Sequence, residues 1–437
     1  MYKSLLSLFF YIWVSLVFQK IFINFSIHFY FYFLNIQIPF YLYFGHIWFI
    51  FFMSLIFFFL IFLLAKKIIA HDKYIYLTIF YLIILILVIF IILVDECTTF
   101  LILFESLFFP VVFSSLSFTF NNRFIFALYH LIFYSAWSSV CCISAIVLLI
   151  FHFNTFNLTI FNEFNFFDSF FILFNIWLFL FIMFAIKFPL WPFHSWLPEI
   201  HVEVTTEFST ILASIVLKIG FFGFYKFIFT NLNSISIWLI GFLDSIILGG
   251  LLFISLLIFF TTDYKKIIAF WSIIHTGTSL ILLWHNDIIF ILILFFCNLG
   301  HILSAGFLFI SIGYMYDNFG LRVFLILTGF FGISIWSHIF LLLFLFNIDF
   351  PFMLLFYVDL LLLYGISGLS YIYIYIFLLI MFIIFISSLF IYVNLTFYSF
   401  TWLDKFIRLD LSINDVFFFT ISGLIIFFFF FIFYNII

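Results

Sequence analysis

Six ionisable residues of this chain stand within long apolar runs. Glu105 sits in CTTFLILFESLFFPVVFSSLSF, Lys218 in STILASIVLKIGFFGFYKF and Asp359 in PFMLLFYVDLLLLYG. Asp244 lies nearer one end of WLIGFLDSIILGG, while His275 and His301 lie mid-run in FWSIIHTGTSLILL and CNLGHILSAGFLF. A charge at the centre of a bilayer costs at least about 2.5–3.5 kcal/mol, so such groups are candidates for an ion or proton pathway. Each has a plainer reading. A histidine on an apolar helix can be a satisfied core residue. Glu105 and Asp359 can be structural ion pairs or protonated acids, and Asp244 suits an interfacial or structural role. For Lys218 the plainer reading is snorkelling, although its stem reaches the interface poorly from mid-run.

Lys187 ends an apolar run and is followed by Pro189, Pro192 and Pro198. Prolines this dense break a helix. In lipid a broken helix is tolerated only where protein buries it or where it lines a water-filled cavity. The device recurs at Pro351, eight residues before Asp359. Interrupted helices in corresponding halves of a chain point to a transport site built from inverted repeats. On this reading the chain divides into N-terminal transmembrane helices over 1–95, a first repeat over 96–230, a second over 235–396, and a C-terminal loop and helix over 397–437. Lys187 and Asp359 then take comparable positions.

The elements that must hold these groups follow from composition. Of 437 residues, 69% are hydrophobic and only 7% charged, with 86 Phe and a net charge of -4. An ordinary soluble domain carries about 25% charged residues. A soluble globule is excluded because too little polar surface exists to coat one. Disorder needs low hydropathy and high charge, and nucleic-acid binding wants a basic patch. The chain is therefore an all-α polytopic membrane protein. The runs show no alternation of period two, which excludes a β-barrel.

A crossing helix needs about 20 apolar residues. Runs of that kind occur near 47–65, 74–94, 97–119, 124–151, 169–187, 208–228, 235–260, 267–284, 288–313, 324–346, 371–396 and 416–436. The first 44 residues hold two more, near 4–19 and 27–44. The stretch 350–364 is too short to span alone and reads as the second half of a helix broken at Asn347, Asp349 and Pro351. The total is about 14 spans with two broken helices. Under this count Lys20, Lys66, Lys67, Lys73, Arg123, Lys265, Lys266, Arg322, Lys405 and Arg408 fall in loops on one side, and only Lys3 and Lys226 on the other. Such a bias sets orientation by the positive-inside rule. In a mitochondrion the basic side faces the matrix.

The four cysteines, Cys97, Cys141, Cys142 and Cys297, form no C-x-x-C pair. Iron–sulfur and zinc frameworks are therefore unsupported, and each thiol suits a buried apolar place. The first apolar stretch starts at Leu5, outruns a signal-peptide core and precedes no small-x-small site, so no cleavable leader is expected. The excess of Phe, Ile, Tyr and Asn over Ala fits a T-rich coding genome of organellar type.

The segment from Lys187 to Phe227, KFPLWPFHSWLPEIHVEVTTEFSTILASIVLKIGFFGFYKF, resembles the signature of the antiporter-like subunits of respiratory complex I. Its H-x-W-L-P…H-V-E run, His194 through Glu203, is similar to the chain 4 branch of that family, as is an acid rather than a lysine eight residues past Pro351. TTDYKKIIAFWSIIHTG, from Thr261, resembles a second motif of the family. FES at 104–106 resembles its glutamate helix, and NNRFIFALYHLIFYSAWSS the helix after it. The resemblance covers roughly residues 95–365, in the family's order. There are departures. VTTEFS, with Glu207, replaces a run of small residues. Glu199 stands at a commonly basic position and Asp359 where the family has Glu. Gly is missing after His301, and Asp244 has no counterpart.

The resemblance implies 14 helices with two inverted five-helix repeats, and proton movement driven by quinone reduction in other subunits. Carried over by position, Glu105 and Lys187 are a coupling ion pair and Lys218 is the central relay. His301 and Asp359 continue the path, with His275 taking part. His194, His201 and Glu203 support them. No cofactor is implied in this chain, since FMN, iron–sulfur clusters and ubiquinone belong to other subunits. Implied partners are the chain 2-like and chain 5-like antiporter subunits, other membrane-arm subunits and lipid, without nucleic acid. The implied place is the mitochondrial inner membrane. Two alternatives stay open: a subunit of a multi-subunit cation/proton antiporter, and a non-conducting structural subunit. A haem cytochrome would need paired histidines on facing helices. Here His194 and His201 flank prolines, and His275 and His301 stand singly.

Overall fold

The computed structural model describes residues 27–33, 36–42, 44–70, 73–94, 96–116, 121–153, 166–229, 232–281, 288–319, 334–351, 353–368 and 370–397. The spans expected near 4–19 and 416–436 lie outside these residues. So do Lys3, Lys20, Arg322, Lys405 and Arg408.

By contact the chain divides into two compact units, Met1–Pro189 with Ile211–Leu239, and Leu190–Thr210 with Ile240–Ile437. The first unit opens on an antiparallel hairpin, β1 Ile27–Phe33 and β2 Ile36–Leu42, paired in register from Ile27–Leu42 to Phe33–Ile36. This corrects the expectation of a helix over 27–44. IHFYFYF and IQIPFYL are rich in aromatic and β-branched residues, which favour strands. Pro39 is tolerated because both strands of a two-stranded ribbon are edges.

Helices follow: α1 Phe44–Ala70, α2 Lys73–Leu93, α3 Cys97–Ser106, α4 Phe108–Leu116, α5 Asn122–Phe153 and α6 Phe166–Lys187. A stretch of mixed helical type then carries α7 Trp196–Glu203, α8 Thr206–Ile211, a π-helical turn Leu212–Val216, α9 Leu217–Gly223 and a second π-helical stretch Phe224–Phe229. Beyond it lie α10 Asn233–Trp238, α11 Ile240–Leu257, a 3-10 turn Ile258–Phe260, α12 Tyr264–Leu280 and α13 Ile288–Phe319. The last described helices are α14 Ser334–Asn347, α15 Leu354–Ser367 and α16 Tyr371–Phe397.

Among the described residues eight helices are long and apolar enough to cross a membrane, with shorter apolar helices at Phe49–Ile61, His338–Asn347 and Leu355–Ser367. The chain is a multi-pass membrane protein. Helical structure is forced here, because in hydrocarbon every backbone N–H and C=O must be bonded within the chain. Both expected breaks are present. The first lies between Lys187 and Trp196, the second between Asn347 and Leu354.

Burial separates inner helices from peripheral ones. The span Leu294–Asp317 is buried through its middle and Thr206–Phe229 along nearly all its length, whereas Tyr74–Leu93 and Tyr371–Leu395 bury less than half their residues. On α2 the exposed residues Ile75, Ile79, Ile83, Ile86 and Phe90 recur every three or four positions, an apolar stripe along one face of the helix. Within the first unit, Phe100, Phe104, Phe184 and Phe227 pack ring against ring between α3, α6 and the second π-helical stretch. Within the second, Trp271 of α12 donates its indole N–H to Ser387 of α16 at 3.1 Å.

Candidate functional site

The first unit assembles its charged cluster at a helix interruption. α3 ends at Ser106, one residue past Glu105, and α4 begins at Phe108. The Glu105 side chain has two partners. Its Oε1 accepts from the Ser138 hydroxyl of α5 at 2.7 Å, and its Oε2 lies 4.0 Å from Lys187 Nζ. At 4.0 Å the ion pair is at the outer limit of contact and too long for a hydrogen bond. Both side chains are mostly but not wholly enclosed, at 20% and 17% exposure. Lys187 closes α6, where an ammonium complements the helix C-terminus, and lies over the rings of Phe104 and Phe108 at 5.6 and 6.0 Å. The structure thus brings together Glu105 and Lys187, the two residues that the family resemblance pairs.

Lys218 is fully buried rather than turned to lipid. It is the second residue of α9, directly after the π-helical turn Leu212–Val216. Single π-helical turns are rare and concentrate at functional sites. Gly220 lets this segment close on the end of α6: a Cβ there would sit 2.6 Å from Phe188 Cβ and 2.9 Å from its backbone nitrogen.

The second unit holds the other candidates. Asp263 caps α12, its carboxylate accepting from the Lys265 backbone N–H at 3.0 Å. This gives the T-D-x-K element a structural reason, since Asp is among the preferred N-caps. α12 then presents His275 toward α13, where its ring centre stands 6.1 Å from that of His301. Both histidines are buried. Two turns beyond His301, Phe309 stacks on His201 with ring centres 4.7 Å apart. His201 is fully enclosed, and among the described residues neither of its ring nitrogens has a hydrogen-bond partner. His194 is buried in the break, and Glu203 is part-buried at the end of α7.

Asp359 stands six residues into α15, after its break, whereas Lys187 closes the helix before its own. The two therefore do not hold equivalent places along their broken helices. Asp349 lies in the second break itself, and among the described residues both its carboxyl oxygens and Oδ2 of Asp359 are buried without a hydrogen-bond partner. Asp244 and Glu207 are buried in α11 and α8.

Two basic residues assigned to loops are not surface charges. Lys226 is buried, its Nζ donating to the carbonyls of Ile92 and Val94 at 2.7 Å each, at the C-terminal end of α2. Lys265 is buried in the second unit and donates to the Val204 carbonyl at 2.8 Å. Its neighbour Lys266 is half-exposed and pairs with Glu199 at 2.6 Å. Among the described residues no group of three or more His, Cys, Asp or Glu is arranged to hold a metal ion.

Solved structures share the fold. A chain of respiratory complex I from Thermus thermophilus with bound NADH superposes with a TM-score of 0.82 at 18% identity, covering 97% of this chain and 88% of that one. A chain of the Mrp complex from a Dietzia species gives 0.78 at 15% identity, covering 91% and 75%. The fold is thus that of antiporter-like membrane subunits. Residues 94–390 match the family NADH:quinone oxidoreductase/Mrp antiporter, TM, and the chain belongs to that family. Among curated relatives, NADH-ubiquinone oxidoreductase chain 4 of Acanthamoeba castellanii is 32% identical over 61% of this chain and 54% of its own length. That of Chondrus crispus is 33% identical over 58% and 51%. The chain spans about half the length of these relatives.

Proposed function

We propose that the chain is a chain 4-type, proton-translocating membrane-arm subunit of respiratory complex I. In this reading it has 14 transmembrane helices, two inverted five-helix repeats, and a place in the mitochondrial inner membrane. It is organelle-encoded and works beside chain 2-like and chain 5-like antiporter subunits and lipid. NADH:ubiquinone oxidoreduction, with its FMN, iron–sulfur clusters and ubiquinone, takes place in other subunits. The observation that carries the reading is the divided partnership of Glu105, between Ser138 and Lys187.

A nearby carboxylate favours a charged ammonium, and an apolar surrounding disfavours it. While Glu105 faces Lys187, that lysine holds its proton. When Glu105 turns to Ser138 alone, Lys187 loses its counter-charge and releases the proton to Lys218. His275 and His301 accept and pass it, as imidazoles do near neutral pH, and Asp359 takes it toward the exit. Water bridges the gaps, and the broken helices offer backbone polar groups to hold it. His194, His201 and Glu203 line the route.

Glu105→Gln keeps the shape and the Ser138 contact but removes the charge. In the assembled complex it should depress proton-coupled quinone reduction, and unchanged activity at normal assembly would sink the assignment. A second reading, a subunit of a multi-subunit cation/proton antiporter, is favoured by the likeness to the Dietzia Mrp complex. Co-purification with redox subunits separates the two.

A further inference from the structure

We propose that Asn298 is a positioning residue of this proton path, its amide oxygen holding a water between the rings of His275 and His301. The inference rests on the proton-translocating reading above and adds to it a residue and a water site that the relay did not include.

α12 and α13 meet in successive rungs. In one, the His275 and His301 ring centres stand 6.1 Å apart. In the next, Asn298 Nδ2 donates to Ser279 Oγ at 3.3 Å. Ser279 lies four residues beyond His275 and Asn298 three before His301, so on each helix the two share a face. The Cys297 thiol fixes the register, donating to the His275 carbonyl at 3.8 Å. Asn298 is buried, and its partners set the orientation of its amide. Nδ2 also donates to the Leu294 carbonyl at 3.0 Å, and a carbonyl only accepts. The Ser279 hydroxyl gives its own hydrogen to the Thr276 carbonyl at 2.6 Å, so it accepts from Asn298. Both amide hydrogens are therefore committed. The amide oxygen, Oδ1, is buried, and among the described residues no donor meets it. Buried polar atoms of this kind are satisfied by ordered water, which needs two to four polar partners. The imidazoles one rung away supply the others. With 6.1 Å between ring centres, no nitrogen of one ring comes within direct hydrogen-bond reach of the other. A water joins groups at that separation.

In that place the water accepts from the protonated imidazole, donates one hydrogen to Asn298 Oδ1 and points the other at the neutral imidazole. In the transfer an N–H bond of His275 breaks as an O–H bond forms. The O–H bond aimed at His301 breaks as an N–H bond forms there. The water is regenerated, and no electron moves. Oδ1 neither gains nor loses a proton. It holds one hydrogen of the water and so sets the direction in which the other is given.

A packing role and a positioning role rank two variants in opposite order. Asn298→Leu fills the place of the amide with an alkyl group and leaves the water without its acceptor. Asn298→Ala opens a space that a second water can enter, at the cost of a cavity. In complex I reconstituted in vesicles, quinone-coupled proton translocation should fall about two- to tenfold for Asn298→Leu, as for loss of one hydrogen bond to the reacting water. It should fall less for Asn298→Ala, although thermal dissociation should show Asn298→Ala to be the less stable. The solvent deuterium isotope effect on translocation should grow in Asn298→Leu as transfer between the rings slows. Cryo-electron microscopy of the native complex should show a water within hydrogen-bond reach of Oδ1 and of both rings. Native density without that water overturns the proposal. So does a loss from Asn298→Ala that equals or exceeds that from Asn298→Leu, or a native isotope effect in a slowed Asn298→Leu complex. Normal translocation by assembled Asn298→Leu, with Glu105→Gln impaired, overturns the water site alone. Normal translocation by both overturns the relay reading with it. If Asn298→Leu fails to assemble, the density of the native complex decides.

Discussion

Lys265 ends on the backbone of Val204: its ammonium donates to that carbonyl at 2.8 Å, inside the second unit. Val204 follows α7 and is already extended, with ψ 165°. The lysine thus ties the short helix of the first break to α12, the helix that carries His275. Lys265→Met should therefore lower the stability of the subunit by about 1.5–3 kcal/mol, the range for a buried hydrogen bond from a charged donor. Lys266→Ala, next to it, should cost at most about 1 kcal/mol, because its pair with Glu199 is half-exposed. Thermal dissociation of the purified complex, followed for each variant, checks the contrast. Equal shifts would refute it.

The neighbours Lys265 and Lys266 also mark the limit of what a sequence displays about its charges. Most of the described span positions and both broken helices follow from apolar run length and proline spacing, whereas the Glu105–Lys187 pair is implied by the family resemblance. Those are one-dimensional signals. Whether a lysine near a run's end faces water or turns inward is settled by packing, and in the sequence Lys226 and Lys265 look like ordinary loop cations. Ser138 is one of many serines, and only its distance to Glu105 distinguishes it. The hairpin at 27–42 was lost to run length, which cannot separate a strand pair from a helix when Phe, Ile and Tyr dominate both.

Lys226 closes the end of α2 from a distance in sequence, bonding the carbonyls of Ile92 and of Val94 just beyond the helix. The last carbonyls of a helix have no partner within it. Lys226→Met would leave both unsatisfied in an apolar setting and should destabilise by about 1.5–3 kcal/mol. Lys226→Arg retains a charged donor and should lose less. Limited proteolysis of the complex, comparing cleavage beyond α2 in the two variants, reads the difference.

Ser138 holds one carboxylate oxygen of Glu105 while Lys187 faces the other. Ser138→Ala should leave the ion pair as the sole arrangement of that carboxylate and so resist the switch. Proton translocation should slow, by less than about tenfold if the hydroxyl contributes about 1 kcal/mol to the alternative state. The defect should be smaller than that of Glu105→Gln. Translocation faster than in the native complex would reverse the assigned direction of the switch.

Two glycines give opposite expectations for one chemical change. At Gly220 a methyl group would meet the Phe188 Cβ at 2.6 Å and its backbone nitrogen at 2.9 Å, atoms that cannot swing aside. Gly220→Ala must push α9, and Lys218 with it, off the end of α6, at about 1–3 kcal/mol for overpacking. At Gly249, on α11, nothing lies within 4 Å of the added atom. Gly249→Ala should stabilise that helix by about 0.8–1 kcal/mol, since alanine loses less backbone freedom there. Thermal dissociation should thus move down for the first variant and up for the second. Proton translocation should fall only for Gly220→Ala, because only that position sets where the buried lysine stands relative to Lys187. A Gly220→Ala complex with native stability and native rate would mean that the close approach of Phe188 does not position Lys218.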